Sequence, residues 1–331
     1  MDENKNILLR VEELRTYFYQ DGAESRAVDG ISFDIERKKT VCLVGESGCG
    51  KSLTALSILG LVPYPGKVVS GRILFDGEDL LQKKENELRD YRGHRIGMIF
   101  QEPMTSLNPV LKLGYQISEV YRVHQQLSPR EARKKAIEML RLVNIAEPEQ
   151  RYEEYPHQLS GGMRQRVMIA MALACRPDLL ICAEPTTALD VTVQAQILRL
   201  ILQMQQRMGM SVLLITHDMG VVSEMADEVI VIYAGKIVEK CGSQAIFEKQ
   251  YHPYTEALIH SIPVIGTEQT TLATIPGMVP RLTGEHQGCL FADRCAFCRE
   301  VCRRIEPSLQ TVEPGRQAAC LRYTEHWKEA R

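Results

Sequence analysis

The sequence predicts an α/β fold: a largely parallel sheet with helices on both faces, carrying a helical insertion and a small cysteine-rich C-terminal extension. Three observations lead there. Short apolar runs read as strands, TVCLVG (40–45), RIGMIF (95–100), LLICA (179–183), SVLLIT (211–216) and VIVIYAGKIVE (229–239), and helical patterns lie between them. Residues 104–160 are rich in helix signals and poor in strand signals. Cys289, Cys295, Cys298, Cys302 and Cys320 crowd together at the end, whereas Cys42, Cys49, Cys175, Cys182 and Cys241 are scattered singly in apolar or glycine-rich settings and read as small buried hydrophobes.

Each element has its local reason. In the last strand run, Ala234-Gly235 reads as a hairpin turn. In SPREARKKAIEMLRLVNI, Ser128 caps a helix, Pro129 suits the first helical position and Glu131 completes a capping box, while Ala132, Ala136, Ile137, Leu140 and Val143 form an apolar stripe. The segment 263–288, rich in proline and glycine, reads as an irregular connection into the cysteine-rich tail.

With 331 residues, 44% hydrophobic and 25% charged, the chain can bury a full core plus one or two appended subdomains. Its formal charge of -2 gives no global basic field and argues against a nucleic-acid partner. The start, MDENKNILLR, lacks the layout of a signal peptide, and no apolar run approaches the ~20 residues of a membrane span, so a cytosolic chain is expected.

GESGCGKS (45–52) fits G-x-x-x-x-G-K-[ST] directly after a strand and before the helical run SLTALSILGL. The mechanism needs that context. Glycines let backbone N–H groups converge on phosphate oxygens, the following helix points its positive end there, Lys51 reaches the β/γ-phosphates and Ser52 can ligate Mg²⁺. LSGGMRQR (159–166) opens another helix with a serine and two glycines. One chain cannot wrap a single phosphate with two such ends on different subdomains, so Ser160, Gly161 and Gly162 are read as serving a nucleotide held by a partner chain.

The phosphate loop, Gln101 in FQEPMTSLNP, LSGG at 159–162, Glu184 after the 179–183 strand, Ala188-Leu189-Asp190 and His217 resemble, in order and spacing, the ATP-binding subunits of ABC transporters, over residues ~5–245. The resemblance implies a P-loop (RecA-like) ABC nucleotide-binding domain. Its core would run over 1–103 and 161–245, its helical subdomain over 104–160, and its extension over 246–331. It also implies a head-to-tail dimer with two ATP molecules between the loop of one subunit and the signature of the other.

On that likeness Gly45, Glu46, Ser47, Gly48, Cys49, Gly50, Lys51 and Ser52 cradle ATP, and Ser52 with Gln101 holds Mg²⁺. Glu184 positions the attacking water, His217 contacts the γ-phosphate, Gln101 senses Mg²⁺ and water, and Asp190 speaks across the dimer. Of Tyr17, Phe18 and Tyr19, the spacing favours Phe18 as the adenine platform. Ala183 departs from the pattern, standing where a second carboxylate would steady the Mg²⁺ shell. Loss of such an outer-shell partner typically costs ~10–100-fold. Natural degeneracy in one of two unequal sites and a change made to trap a bound state both fit such an alanine.

Four thiolates can enclose Zn²⁺ or a [4Fe–4S] cluster, and spacing does not choose between them. The tail, with YHPYTEALIHSIP (251–263) before it, resembles the C-terminal extension of the ATPases of dipeptide, oligopeptide and nickel importers. That likeness implies an iron–sulfur site on Cys289, Cys295, Cys302 and Cys320, with Cys298 outside the pattern. Met163, where glutamine is commoner, implies a heterodimer with a second, unequal ATPase. The implied partners are two membrane-spanning permeases and, indirectly, an extracytoplasmic peptide-binding protein, with this chain peripheral on the cytoplasmic face. A regulatory subunit that hydrolyses little, a nickel importer and a soluble non-transport ABC ATPase are the alternatives; the last is weakened by the absence of a strong basic run.

Overall fold

The computed structural model describes residues 6–20, 22–101, 106–186, 189–261, 275–284 and 286–329. In chain order they form β1 (Ile7–Gln20), β2 (Ala23–Glu36), β3 (Thr40–Val44), α1 (Lys51–Ile58), β4 (Gly66–Phe75), β5 (Glu78–Asp79), α2 (Glu85–Tyr91), β6 (Ile96–Ile99), α3 (Leu113–Gln125), α4 (Pro129–Leu142), α5 (Pro148–Tyr152) and α6 (Gly161–Leu173). There follow β7 (Leu179–Ala183), α7 (Val191–Met208), β8 (Ser211–Thr216), α8 (Met219–Met225), β9 (Glu228–Tyr233), β10 (Lys236–Gly242), α9 (Ser243–Glu248), α10 (Pro253–His260), α11 (Glu300–Arg304), β11 (Gln310–Glu313), β12 (Arg316–Ala318) and α12 (Glu325–Glu329). The chain divides into two compact units. One comprises Met1–Leu8, Glu36–Lys39 and Gln82–Leu214, the other Leu9–Ile35, Thr40–Leu81 and Ile215–Arg331.

The first unit pairs β6 with β7 in parallel, Ile96 opposite Leu179 through Ile99 opposite Cys182. Every residue of β7 is buried, as an apolar run covered on both faces requires. Its helices follow their sequence signals. Ser128 Oγ accepts from the Glu131 N–H, the reciprocal bond completes the capping box, and Ala132, Ala136, Met139 and Leu140 are buried. The buried stripe includes Met139, while Ile137 is only half-buried.

In the second unit β3 runs parallel to β9, and the sheet continues through antiparallel β10, β12 and β11. Ala234 and Gly235, both with positive φ, make the turn expected between β9 and β10. The two strands of the cysteine-rich tail thus extend a sheet begun at residue 40. Of the connection at 263–288, residues 263–274 and 285 lie outside the described residues; the rest is irregular apart from the bridge between Thr283 and Ser25.

A second sheet, ordered β2-β1-β4-β5, was not foreseen from the sequence. Its long strands bury Leu9, Val11, Leu14, Ile31, Phe33 and Ile35 on one face. The alternation in β1 is broken by a bulge, where the register against β4 shifts between Glu12 and Arg15 and Glu13 takes φ 46. Gly71 lies against that bulge with φ 108, and a β-carbon there would come within 2.7 Å of Glu13 O and Leu14 Cα. Gly71→Ala therefore adds a strained backbone to a backbone collision and is expected to lower stability by about 2–4 kcal/mol, measured by urea unfolding.

Candidate functional site

In the second unit the loop from Gly45 to Gly50 turns from buried β3 into α1 by bringing backbone against backbone. A β-carbon on Gly45 would collide with Ile232 O and one on Gly50 with Ala27 O, and both glycines have positive φ. Gly48 has nothing within 4 Å of its would-be β-carbon, and Ser47 and Ser52 are exposed, so this side of the loop is open. Lys51 lies folded back and only 4% exposed, its Nζ donating to Gly45 O at 2.7 Å and Glu46 O at 2.9 Å, with Cys49 Sγ at 3.7 Å. An ammonium satisfied by carbonyl oxygens, beside an open helix N-terminus and an exposed Ser52 hydroxyl, suits a triphosphate and its Mg²⁺.

Two residues absent from the sequence reading hold the loop from below. Tyr254, fully buried on α10, accepts the Glu46 N–H at 2.7 Å. Arg294 grips the Glu46 carboxylate with both terminal nitrogens, Nη1 to Oε2 at 2.7 Å and Nη2 to Oε1 at 2.9 Å. That ion pair raises the Arg294 guanidinium pKa further above its ordinary value. No spacing rule links positions 46 and 294. The one available hint was an acidic residue inside a phosphate-binding loop, which calls for a cation.

His217 follows β8 and is exposed. Its backbone is fixed by its neighbours: Asp218 donates its N–H to Thr216 Oγ1 at 3.0 Å and caps α8 by accepting from the Gly220 N–H at 2.8 Å. The three adjacent aromatics separate clearly. Tyr17 is buried and donates to Asp29 at 2.6 Å, with its phenol pushed up to about 12 chiefly by burial. Tyr19 is exposed, with Lys67 4.7 Å from its ring. Phe18 is half-buried, with its ring edge packed over the backbone of Gly66.

The first unit holds the other group. Glu184 follows β7 with φ 48, an uncommon conformation for a non-glycine residue, and its Oε2 accepts from Gln101 Nε2 at 2.9 Å. Gln165, buried on α6, donates to Pro185 O at 2.6 Å and so ties the signature helix to the turn after β7. Ser160 caps α6, accepting from the Met163 N–H at 3.4 Å. Asp190 caps α7, accepting from the Val193 N–H at 2.9 Å. The two helix starts meet where a β-carbon on Gly162 would stand 2.8 Å from Val193. Ala183 is buried at the end of β7; Ala188 lies outside the described residues.

In the C-terminal lobe Cys289, Cys295, Cys302 and Cys320 line one apolar cavity of about 20 Å³, and Cys298 does not. The Cys289 N–H donates to Cys302 O at 2.7 Å, and Trp327, the single tryptophan, packs against this core. Among the described residues no three His, Cys, Asp or Glu groups stand close enough to hold one metal ion, which leaves a Zn²⁺ site without support. The same finding leaves the expected iron–sulfur cluster without support, although four thiols line one cavity. Burial pushes the Cys289 thiol up to about 12 and that of Cys320 to about 11.

A strand, a glycine loop packed against the backbone of neighbouring strands and a helix starting at Lys51-Ser52 define a P-loop nucleotide-binding protein. Comparisons with known proteins narrow this. The family described as "ABC transporter" matches residues 28–187, and that described as "Oligopeptide/dipeptide transporter, C-terminal region" matches 238–302. The chain is 48% identical to the dipeptide transport ATP-binding protein DppD of Escherichia coli (strain K12), over 95% of this chain and 96% of that protein. It is 51% identical to the oligopeptide transport ATP-binding protein AppD of Bacillus subtilis (strain 168), over 98% and 99%. Among solved structures, the dimeric ATP-binding cassette MJ0796 bound to ADP and Pi superposes with a TM-score of 0.64 at 26% identity, covering 71% of this chain and 98% of that one. CbiO1 from Clostridium perfringens gives 0.63 at 31%, covering 74% and 92%. The chain belongs to the ATP-binding subunits of ABC transporters, an ATPase family, in the branch that carries the oligopeptide/dipeptide C-terminal region.

Two predictions follow from the geometry. Because the Ser160 cap is long, Ser160→Ala should cost only about 0.5–1 kcal/mol in urea unfolding, so a larger proportional loss of ATP turnover would report contact with nucleotide rather than folding. In reduced, cluster-free protein the raised thiols favour the folded state fully below the ordinary thiol pKa of about 9. That contribution is lost as pH climbs through about 11 to 12, so the unfolding midpoint read from Trp327 emission should fall across this window.

Proposed function

We propose that the chain hydrolyses ATP to power import of dipeptides or oligopeptides, docked on the cytoplasmic face of two membrane-spanning permeases that an extracytoplasmic peptide-binding protein feeds. The observation that carries this is identity of about half over nearly the whole chain to ATP-binding proteins of dipeptide and oligopeptide transport, extending through the C-terminal region. Nickel import and a soluble non-transport role have no such support.

In this reading Lys51 exchanges the carbonyls of Gly45 and Glu46 for phosphate oxygens, a stronger charge-assisted acceptor. Loop amides and the first turn of α1 cradle the phosphates, and Phe18 stacks adenine. Ser52 and Gln101 would hold Mg²⁺, which would supply positive charge against the charge developing in phosphoryl transfer. Glu184, oriented by Gln101, polarises the attacking water, and His217 contacts the γ-phosphate. Ser160, Gly161 and Gly162 complete the site of a second, unequal ATPase subunit in a head-to-tail heterodimer, with Asp190 at the contact. By the resemblance of the tail, Cys289, Cys295, Cys302 and Cys320 would hold a [4Fe–4S] cluster, and no catalytic step passes through it.

Residues 104–160 are the surface offered to the permeases. Among the described residues no helix is long and apolar enough to cross a membrane, and Val110, Tyr115 and Val123 stand 76%, 44% and 64% exposed on this segment. A second reading, an ATP-binding regulatory subunit with little hydrolysis, is favoured by Ala183 alone, which puts a methyl group where an acid would steady the Mg²⁺ shell.

ATP turnover of the assembled complex decides between them. A gain of ~10–100-fold in apparent Mg²⁺ affinity or turnover in Ala183→Asp favours the second reading; no gain in either would show that the missing acid is not limiting. Glu184→Gln should abolish turnover while ATP remains bound, and unaltered turnover would remove Glu184 from the water-activating role. The purified chain without permeases should stay out of protein-free vesicles, and stable insertion in a flotation assay would contradict docking.

A further inference from the structure

Glu46 puts a carboxylate inside a loop whose task is to receive a polyanion. Left alone it would repel phosphate, and being 29% exposed it is only partly screened by water. The chain answers with Arg294, 248 residues further on, in the turn directly before Cys295. The Arg294 side chain is 6% exposed and its donors are committed: Nε to Pro276 O at 2.7 Å, Nη1 to Glu46 and to Tyr233 Oη at 3.3 Å, Nη2 to Glu46 and to Ile275 O at 3.3 Å. The guanidinium also lies 5.7 and 5.8 Å from the rings of Tyr233 and Phe291. A guanidinium so fully bonded has one orientation, and its planar fork matches the carboxylate bidentately.

We infer that Arg294 is a positioning residue for ATP binding, acting through Glu46: the C-terminal extension supplies the charge that makes the phosphate loop acceptable to a triphosphate. It neutralises the Glu46 carboxylate and draws it away from the open side of the loop, where Gly48 and Ser52 lie. The nucleotide site is therefore incomplete without the cysteine-rich lobe. The Arg294 turn is itself pinned to that lobe, the Arg294 N–H donating to Phe291 O at 3.0 Å and the Ala292 N–H to Cys289 O at 3.0 Å. This rests on the loop being the ATP site, which binding of a fluorescent ATP analogue to the unaltered chain tests separately; no saturable binding there would remove that reading, whatever the variants do.

The test is charge epistasis. Arg294→Met uncovers the carboxylate and should weaken analogue affinity and raise the KM for ATP about tenfold, with kcat at saturating ATP changed far less. Glu46→Gln, which keeps the backbone groups of the cradle but has no charge to neutralise, sets the reference affinity. Combined, the two changes should bind like Glu46→Gln alone, the second restoring what the first removed. A merely structural role predicts the opposite order, with the double variant at least as weak as Arg294→Met. Trp327 emission reports whether the lobe is intact. Should Arg294→Met disrupt it, Arg294→Lys keeps the charge without the bidentate fork and should lose affinity only about twofold; a tenfold loss in a folded Arg294→Lys would overturn the inference. Affinity unchanged in a folded Arg294→Met, or no restoration by Glu46→Gln, would overturn the inference.

Discussion

A strand must become a helix at residues 45–52 with no side chain in the way, and the second unit is arranged around that bend. Gly45 presses on the backbone of Ile232 and Gly50 on that of Ala27, so two neighbouring strands fix the loop through carbonyl oxygens rather than through replaceable side chains. Such contacts leave no room for repacking. β3 is buried at every position, and its parallel pairing with β9 sets where Ile232 falls. The hairpin turn at Ala234-Gly235 then returns against the loop, the Gly235 N–H donating to Cys49 O at 2.8 Å.

The C-terminal extension is joined to this core by buried polar bonds. Glu239 on β10 is 1% exposed and accepts from the Tyr251 and His252 N–H groups at 2.9 and 2.8 Å, which anchors the approach to α10. Burial raises its carboxyl pKa against those donors, and His252, also buried, is pushed down to about 3 and accepts the Tyr254 N–H as a neutral ring. Buried groups of this kind are costly unless satisfied, so their partners specify one docking of the helix. Tyr254 is carried to the loop by that docking. The rings of Tyr233, Tyr254 and Phe291, 4.6 to 5.5 Å apart, fill the space between loop and cysteines.

Much of this was legible because local chemistry decided it. Short, mostly apolar runs became the fully buried β7 and β8, Ser128 and Glu131 became a capping box, and a glycine pattern between strand and helix became a loop with an open face. The antiparallel sheet escaped because a bulge at Glu13 interrupts the alternation in β1, so ILLRVEELRTYFYQ has neither period for its whole length. Three consecutive aromatics could be ranked only by spacing, whereas their neighbours Asp29, Gly66 and Lys67 separate them in the fold. The Arg294 contact was beyond reach for a different reason. Periodicity carries information over a turn or two of chain, and a partner 248 residues away is chosen by topology.

Glu46 shows what that topology achieves. Its carbonyl holds the Lys51 ammonium, its N–H is held by Tyr254 and its carboxylate by Arg294. One residue thus joins the first turn of α1, the helix α10 and the cysteine-rich turn. A hydrogen bond of this kind contributes about 0.5–1.5 kcal/mol net, more where a charge is involved, so the loop cannot shift at Glu46 without losing one of three such bonds. Of the three, the bond to Lys51 is made by a flexible stem that phosphate can recruit, while the other two come from side chains locked by packing. Binding can therefore free the lysine and leave the loop in place, which is what a preformed phosphate cradle requires.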